Sequence, residues 1–226
     1  MLTLHHYPIS APSRFIRLIF GEYRVAFRMI EEKPWQRRPE FLRTNPAGSV
    51  PVLVENDGPP VCGAYAIAEY LDETRGFGAG EGRLMPDHPH HRAEARRLVE
   101  WFIGKMETEA TSYLVHEKII KREAQRGAPD SAVMRAARAN LREHLKYAGY
   151  LASERKWLSG DRLTYADLAA AAALSCVDYL GEVPWDADDQ AKDWYARMKS
   201  RPSFRPLLQD RLAGMPPPLA YADLDF

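Results

Sequence analysis

Pro51 restricts the fold of this chain more than any other residue. It opens the apolar run Pro51-Val52-Leu53-Val54 directly after the turn segment Asn45-Pro46-Ala47-Gly48-Ser49. A proline cannot donate to a strand ladder, so the run has to be a strand whose first position lies at a turn. Proline in that setting suggests a cis Val50-Pro51 bond. Such a bond turns the backbone N–H and C=O of Val50 outward, where an extended peptide can pair with them as an added strand. That would be the beginning of a peptide-thiol site. From spacing alone a second reading stands beside it, in which Pro51 only shapes the start of the strand.

Around this run the hydrophobic period changes repeatedly. Leu2 to His6 reads as a strand, and Phe15, Leu18 and Ile19 recur at helical spacing. Pro12 stands where a first helical turn tolerates proline, so that helix is expected to reach about Glu22. Val25 to Ile30, Pro51 to Glu55 and Pro60 to Cys62 are further strands, and Pro39 to Arg43 is a short helix. Ile67, Tyr70 and Leu71 share one face of a third helix. The order is β-α-β-α-β-β-α, with turn chemistry at Asn56-Asp57-Gly58 between the last two strands.

Beyond Gly76 the pattern is helical throughout. FGAGEGRLMPDHPHH carries no period and marks a linker or an irregular crossing. Leu98, Trp101, Phe102 and Met106 then open a long amphipathic helix, and Val133, Ala137, Leu141, Leu145 and Ala148 trace another. Leu168 to Leu180 is apolar nearly all round, as in a central helix covered by its neighbours. Shorter helices near Asp188 to Ser200 and Ser203 to Asp210 complete an all-α domain. The expected boundaries are an α/β domain over 1–76, a linker over 77–91, an all-α domain over 92–211 and an extended C-terminal tail over 212–226.

A length of 226 residues suits one compact pair of small domains. Charge is balanced, 31 basic residues against 31 acidic, and the balance holds before Gly76, with nine of each sign. A nucleic-acid-binding face normally shows as a basic surplus, so no nucleic acid is expected as partner. No run has the roughly 18 apolar residues that span a bilayer, and MLTLHHYPIS lacks the charged and apolar regions of a leader. The expectation is a cytoplasmic protein with no membrane insertion. Cys62 and Cys176 both lie in apolar surroundings and read as two buried, reduced thiols rather than a disulfide.

Two further segments bear on chemistry. Tyr7-Pro8-Ile9-Ser10-Ala11-Pro12-Ser13-Arg14 places a hydroxyl at the start of the first helix. There Ser10 can stabilise a bound thiolate, by its hydrogen bond and by the positive end of the helix dipole. It can equally serve as an N-cap, the commoner fate of Ser before a helix, and the two roles are compatible. Gly160-Asp161-Arg162-Leu163-Thr164-Tyr165-Ala166-Asp167 sets Thr164 and Asp167 at capping-box spacing, with Leu163 and Leu168 as a hydrophobic staple. This second motif is structural.

With these three segments in this order, the chain resembles the cytosolic glutathione transferases over nearly its whole length. The resemblance implies a thioredoxin-like α/β domain followed by an all-α domain, a homodimer, and a glutathione site formed by Ser10, Val50, Pro51 and the start of the third helix. Ser10 matches the hydroxyl that activates glutathione in the serine-type members. One departure is plain. Members that use glutathione usually carry Glu-Ser before the Ala-Ile of the third helix, to hold the γ-glutamyl end, and here those positions are Gly63 and Ala64. Backbone N–H groups at a helix start still attract a carboxylate. The missing side chains nonetheless remove contacts worth about 0.5–1.5 kcal/mol each, more for charged ones, enough to make a weak ligand negligible. Glutathione is therefore disfavoured, and no cofactor is required.

Within that family the chain is similar to the FzlA group of division proteins. The resemblance is carried by Glu31-Glu32-Lys33-Pro34-Trp35-Gln36-Arg37-Arg38-Pro39-Glu40-Phe41, Pro59-Pro60-Val61-Cys62-Gly63-Ala64-Tyr65, Val115-His116-Glu117-Lys118-Ile119 and the terminal Tyr221-Ala222-Asp223-Leu224-Asp225-Phe226. It implies a non-catalytic regulator that binds filaments of FtsZ, the tubulin-like division GTPase, promotes constriction and concentrates at the division site. The residues agree with a binding role. Trp35 with Arg37 and Arg38 has hot-spot composition in a charged, proline-flanked loop. Asp223, Leu224, Asp225 and Phe226 combine carboxylates with an apolar anchor suited to docking. The alternatives are that Trp35 folds back over the first domain or binds glutathione's glycyl end with a basic neighbour, and that the tail is silent. The remaining alternative for the whole chain is a transferase that conjugates the glutathione thiol to small electrophiles through Ser10.

Other candidates are weaker. His88, His90 and His91 fit no common metal spacing, so no metal site is expected. His5 and His6 alternate faces of a strand, so at most one faces the site. Lys118, Lys121, Arg122 and Arg126 alternate with Glu117 and Glu123 and read as a solvated helix face.

Overall fold

The computed structural model describes residues 1–56 and 58–224. Asp225 and Phe226, two of the tail residues singled out above, lie outside the described residues. The first domain carries β1 (Leu2–His6), α1 (Ala11–Glu22), β2 (Arg28–Glu31), α2 (Pro39–Thr44), β3 (Val52–Glu55), β4 (Val61–Cys62) and α3 (Ala64–Leu71). Its strands form a four-stranded mixed sheet in the order β2-β1-β3-β4. β1 runs parallel to β2 with Thr3 opposite Arg28, and antiparallel to β3 with Leu4 opposite Leu53. This is a thioredoxin-like layer, and an all-α domain follows it.

In that second domain α4 (Pro89–Val99) continues through π-type turns at Glu100–Lys105, Glu107–Thr111 and His116–Ile120. After it come α5 (Ser131–Glu154), α6 (Tyr165–Tyr179), α7 (Asp189–Lys199) and α8 (Arg205–Leu208). Every residue of α6 is buried, and its Ala169 to Ala173 run lets neighbouring helices approach closely. Thr164 caps α6 in a reciprocal capping box with Asp167. The Asp167 carboxylate also accepts from the Leu158 N–H at 2.9 Å and the Trp194 indole at 3.1 Å.

The two domains share one core. Phe15 of α1 meets Tyr165 of α6 edge-on at 5.8 Å, and the Tyr165 hydroxyl donates to the Ala68 carbonyl of α3 at 3.1 Å. Arg14, fully buried, donates to the Pro8 carbonyl, the Ser175 hydroxyl and Asp210. Arg17 joins it on the same carboxylate at 2.8 Å. No helix among the described residues is long and apolar enough to cross a membrane.

Five local readings of the sequence are corrected. The second strand begins at Arg28 rather than Val25, because Val25 donates back to the Phe20 carbonyl at 2.9 Å and Phe27 packs on Phe20 at 4.3 Å. The stretch after Gly76 is no bare linker: Leu84 and Met85 are buried, and Arg83 and Arg92 clasp the buried Asp72. Cys176 is buried, with its thiol pushed up to about 12 by burial, but Cys62 is exposed because β4 is an edge strand. The basic run 118–126 is not simply solvated, since Lys118 pairs with Glu182, Lys121 with Glu117, and Arg122 donates to the Gly214 carbonyl. The C-terminal segment turns through a 3-10 helix at Leu219–Tyr221 and buries Tyr221 completely.

Candidate functional site

A cleft of about 280 Å3 opens between the domains. Tyr7, Ser10, Trp35, Gly48, Ser49 and Val50 line its first-domain side; Glu107, Ser112, Val115 and Ile120 line the other. The Val50-Pro51 bond is cis. Gly48, at φ +68, makes the turn that delivers it, a backbone conformation costly for other residues. The Pro51 carbonyl accepts from the Gly63 N–H at 3.0 Å, tying this loop to the start of α3, while no hydrogen bond among the described residues takes up the Val50 N–H or C=O.

Ser10 is the N-cap of α1, its Oγ accepting from the Ser13 N–H at 3.3 Å. It also lines the cleft, so one hydroxyl stands in both of its expected places. Gly63 caps α3 without any side-chain hydrogen bond, and its φ is +88. A Cβ there would meet nothing within 4 Å, and Ala64 beside it is buried. The start of α3 therefore offers backbone only.

Trp35 is half-buried and folds back over the first domain. Its ring meets Tyr7 edge-on at 5.0 Å, and Lys33 lies 6.0 Å above it. The Tyr7 hydroxyl donates to Glu123 at 3.2 Å, and Lys33 pairs with the same carboxylate at 2.6 Å. Burial, reinforced by Glu123, pushes the Tyr7 hydroxyl far above its ordinary pKa, so it stays a donor. Arg38 forks onto the buried Glu32 at 2.7 Å. Arg37, with a left-handed backbone, is exposed and reaches over Gly48, its Nη1 3.7 Å from where a Cβ would stand.

At the far end, Asp223 and Leu224 are exposed, and the Asp223 N–H donates to Ala220 at 3.2 Å. The structure thus brings Ser10, Trp35 and Val50 into one cleft and leaves Asp223 and Leu224 outside its lining. Among the described residues no group of three or more His, Cys, Asp or Glu is arranged to hold a metal ion.

Sequence reasoning missed Glu107. Its Oε2 is buried without a hydrogen-bond partner, and burial pushes its carboxyl up to about 7. A signal was present: Glu107 stands four residues after Ile103, three before Ala110 and four before Thr111, all buried, so an acid occupies the apolar stripe of the helix.

Residues 4–81 match the family model for the glutathione S-transferase N-terminal domain, and residues 106–202 match the one for the C-terminal domain. The chain belongs to the glutathione S-transferase family. It is 46% identical to FtsZ-localized protein A of Caulobacter vibrioides, over 99% of this chain and 98% of that protein. Among solved structures, FzlA from C. crescentus superposes with a TM-score of 0.94 at 46% identity, covering 100% of this chain and 99% of that one. A structure described as a glutathione S-transferase from Sinorhizobium meliloti superposes at 0.97 with 52% identity, covering all of both chains. Within the glutathione S-transferase family the chain therefore stands near a member named for its localisation to FtsZ.

Proposed function

We propose that this chain is a non-catalytic, glutathione-transferase-like regulator that binds FtsZ filaments and promotes constriction at the division site of the cytoplasm. The bare start of α3, with Gly63 and Ala64 where a γ-glutamyl group would be held, carries this reading. Similarity along the whole chain to a protein named for its FtsZ localisation supports it. Trp35, Arg37 and Arg38 on the loop before α2, with Asp223 to Phe226 at the terminus, are the contact residues it assigns. The test is co-sedimentation with GTP-polymerised FtsZ from the same source, at near-physiological salt and without glutathione. Saturable pelleting that is lost on changing the tail residues is the expected result; a chain that stays in the supernatant over a wide concentration range overturns the proposal.

The regulator would act as a homodimer. The groove between α3 and α4, lined by the exposed Tyr65 with Ala68, Met85, Ala93 and Val99, is an apolar surface suited to a second copy. Two copies of the contact residues would raise avidity for a polymer of repeating subunits. Light scattering at micromolar protein should give twice the chain mass.

A second reading, conjugation of glutathione to small electrophiles, is favoured by the placement of Ser10 in the cleft. Under it, Ser10→Ala cuts turnover. Under the regulator reading, the same change removes an N-cap at about 1 kcal/mol and leaves filament binding intact.

A further inference from the structure

The carboxyl group of Glu107 is the feature of the cleft that neither a scaffold nor a thiol site explains. Its Oε2 is buried and unpartnered, and burial alone shifts its titration. Of the other charges beside the cleft, Lys33 and Glu123 neutralise each other, with the Tyr7 hydroxyl on the same carboxylate, and Arg37 is exposed above Gly48 at the rim. A negative charge at this position opposes a bound thiolate and favours a cation. An unpaired buried acid costs stability in the empty protein, and a ligand that supplies the missing donor recovers that cost on binding.

The surroundings limit what that ligand is. The cleft, at about 280 Å3, falls just below the range for small-molecule pockets, roughly 300–1,000 Å3, and is sized for one long side chain. Trp35 provides an aromatic wall against which a planar cation stacks. A guanidinium offers a planar fork that matches a carboxylate, whereas an ammonium is a strongly hydrated point charge. Beside these, the N–H and C=O of Val50 present an unused donor and acceptor at the cleft edge.

We propose that the interdomain cleft receives the arginine side chain of an extended peptide segment from a protein partner, with Glu107 pairing the guanidinium, Trp35 flanking it and the Val50 backbone pairing with the peptide main chain. The proposal rests on the reading of this chain as a partner-binding protein, and it names the chemistry that the cleft selects.

The probe is acetyl-Gly-Ala-Arg-Ala-Gly-amide, with its citrulline counterpart as the neutral, near-isosteric control. Both are titrated into the full-length protein while the Val50 amide and Trp35 indole signals are followed by NMR. The expected result is saturable shifts at both reporters, with citrulline binding about tenfold more weakly, equivalent to about 1.4 kcal/mol. Glu107→Gln, which keeps size and shape, should reduce the arginine peptide to the citrulline level while the melting temperature shows an intact fold. Equal affinity for the two peptides, unchanged preference in the Gln variant, or no shift at Val50 and Trp35 overturns the proposal. Filament sedimentation is scored separately. Pelleting without arginine preference rejects the cleft assignment alone, and arginine preference without pelleting rejects the filament reading alone.

Discussion

The Tyr221 hydroxyl donates to the Leu207 carbonyl across 3.0 Å, and through this bond the C-terminal segment becomes part of the core. Tyr221 also packs edge-on against Tyr179 at 5.3 Å, and the side chain of Lys199, fully buried, donates to the neighbouring Ala220 carbonyl at 3.1 Å. Asp223 and Leu224 thus stand exposed on a fixed base.

Tyr221→Ala removes a large buried ring and should cost about 3–5 kcal/mol, read as a lower urea midpoint at unchanged slope. Tyr221→Phe keeps the ring and removes one donor from the Leu207 carbonyl, which still accepts from the Asp210 N–H at 3.2 Å, at about 0.5–1.5 kcal/mol. If the tail contacts FtsZ from a fixed position, Tyr221→Ala weakens sedimentation at temperatures where the variant remains folded. An unchanged midpoint in both variants would show that the segment is not held.

Asp210 is the carboxylate that two buried arginines share. Arg14 reaches it at 3.1 Å and Arg17 at 2.8 Å, and both guanidinium groups are nearly or wholly shielded. Replacing it by Asn leaves two buried cations without their counter-charge, which should destabilise by about 3–5 kcal/mol. The domains would loosen together, because Arg14 also ties α1 to Ser175 of α6. A loss under 1 kcal/mol in denaturant titration would mean that water reaches these arginines.

Much of the fold could be read from the residues because each signal was local. Pro51 after a Gly-containing turn, Thr164 three residues before Asp167, and the alanine run of the central helix each dictate their own geometry. The cleft was half legible. Ser10 and Val50 announce themselves, but whether Trp35 faces a partner or Tyr7 depends on Glu123, more than eighty residues further along the chain. The same holds for Tyr221, whose partner Leu207 gives no sign in a proline-led segment, and for the basic run, whose partners Glu182 and Gly214 arrive from distant loops. Periodicity reports which face is buried; it does not report what lies opposite.

Gly63 makes the Glu-Ser pair of the glutathione-using pattern hard to introduce by substitution. With φ +88 and ψ 147 it holds a conformation essentially reserved for glycine, which side chains with a Cβ adopt at a cost of about 1–3 kcal/mol, although the space around it is open. Gly63→Glu together with Ala64→Ser should therefore lower stability by about that amount, with most of the loss in Gly63→Glu alone. Calorimetry with glutathione would show little gain in binding, because the Glu backbone can relax only by moving the N–H that holds the Pro51 carbonyl. Tight glutathione binding by the double variant would instead mean that the α3 start tolerates both residues.

Glu107 should leave a mark on the pH dependence of stability. Its carboxyl has an ordinary value of 4.5 and is pushed up to about 7 by burial, so between those pH values the folded chain keeps a proton that the unfolded chain has released. Stability from this group is fully present below pH 4.5, falls as pH rises towards 7 and is constant above, a loss of up to about 3 kcal/mol. Asp167, raised to about 6 by burial, adds a slope of the same sign at lower pH. His6, lowered to about 4 by burial, gives the opposite slope below its ordinary 6.5. The difference between the parent and Glu107→Gln removes both contributions. Urea titrations at pH 5 and pH 8 should show the Gln variant gaining stability relative to the parent at the higher pH, by about 2–3 kcal/mol. A difference that does not change with pH would mean that the carboxyl is solvated and titrates near its ordinary value.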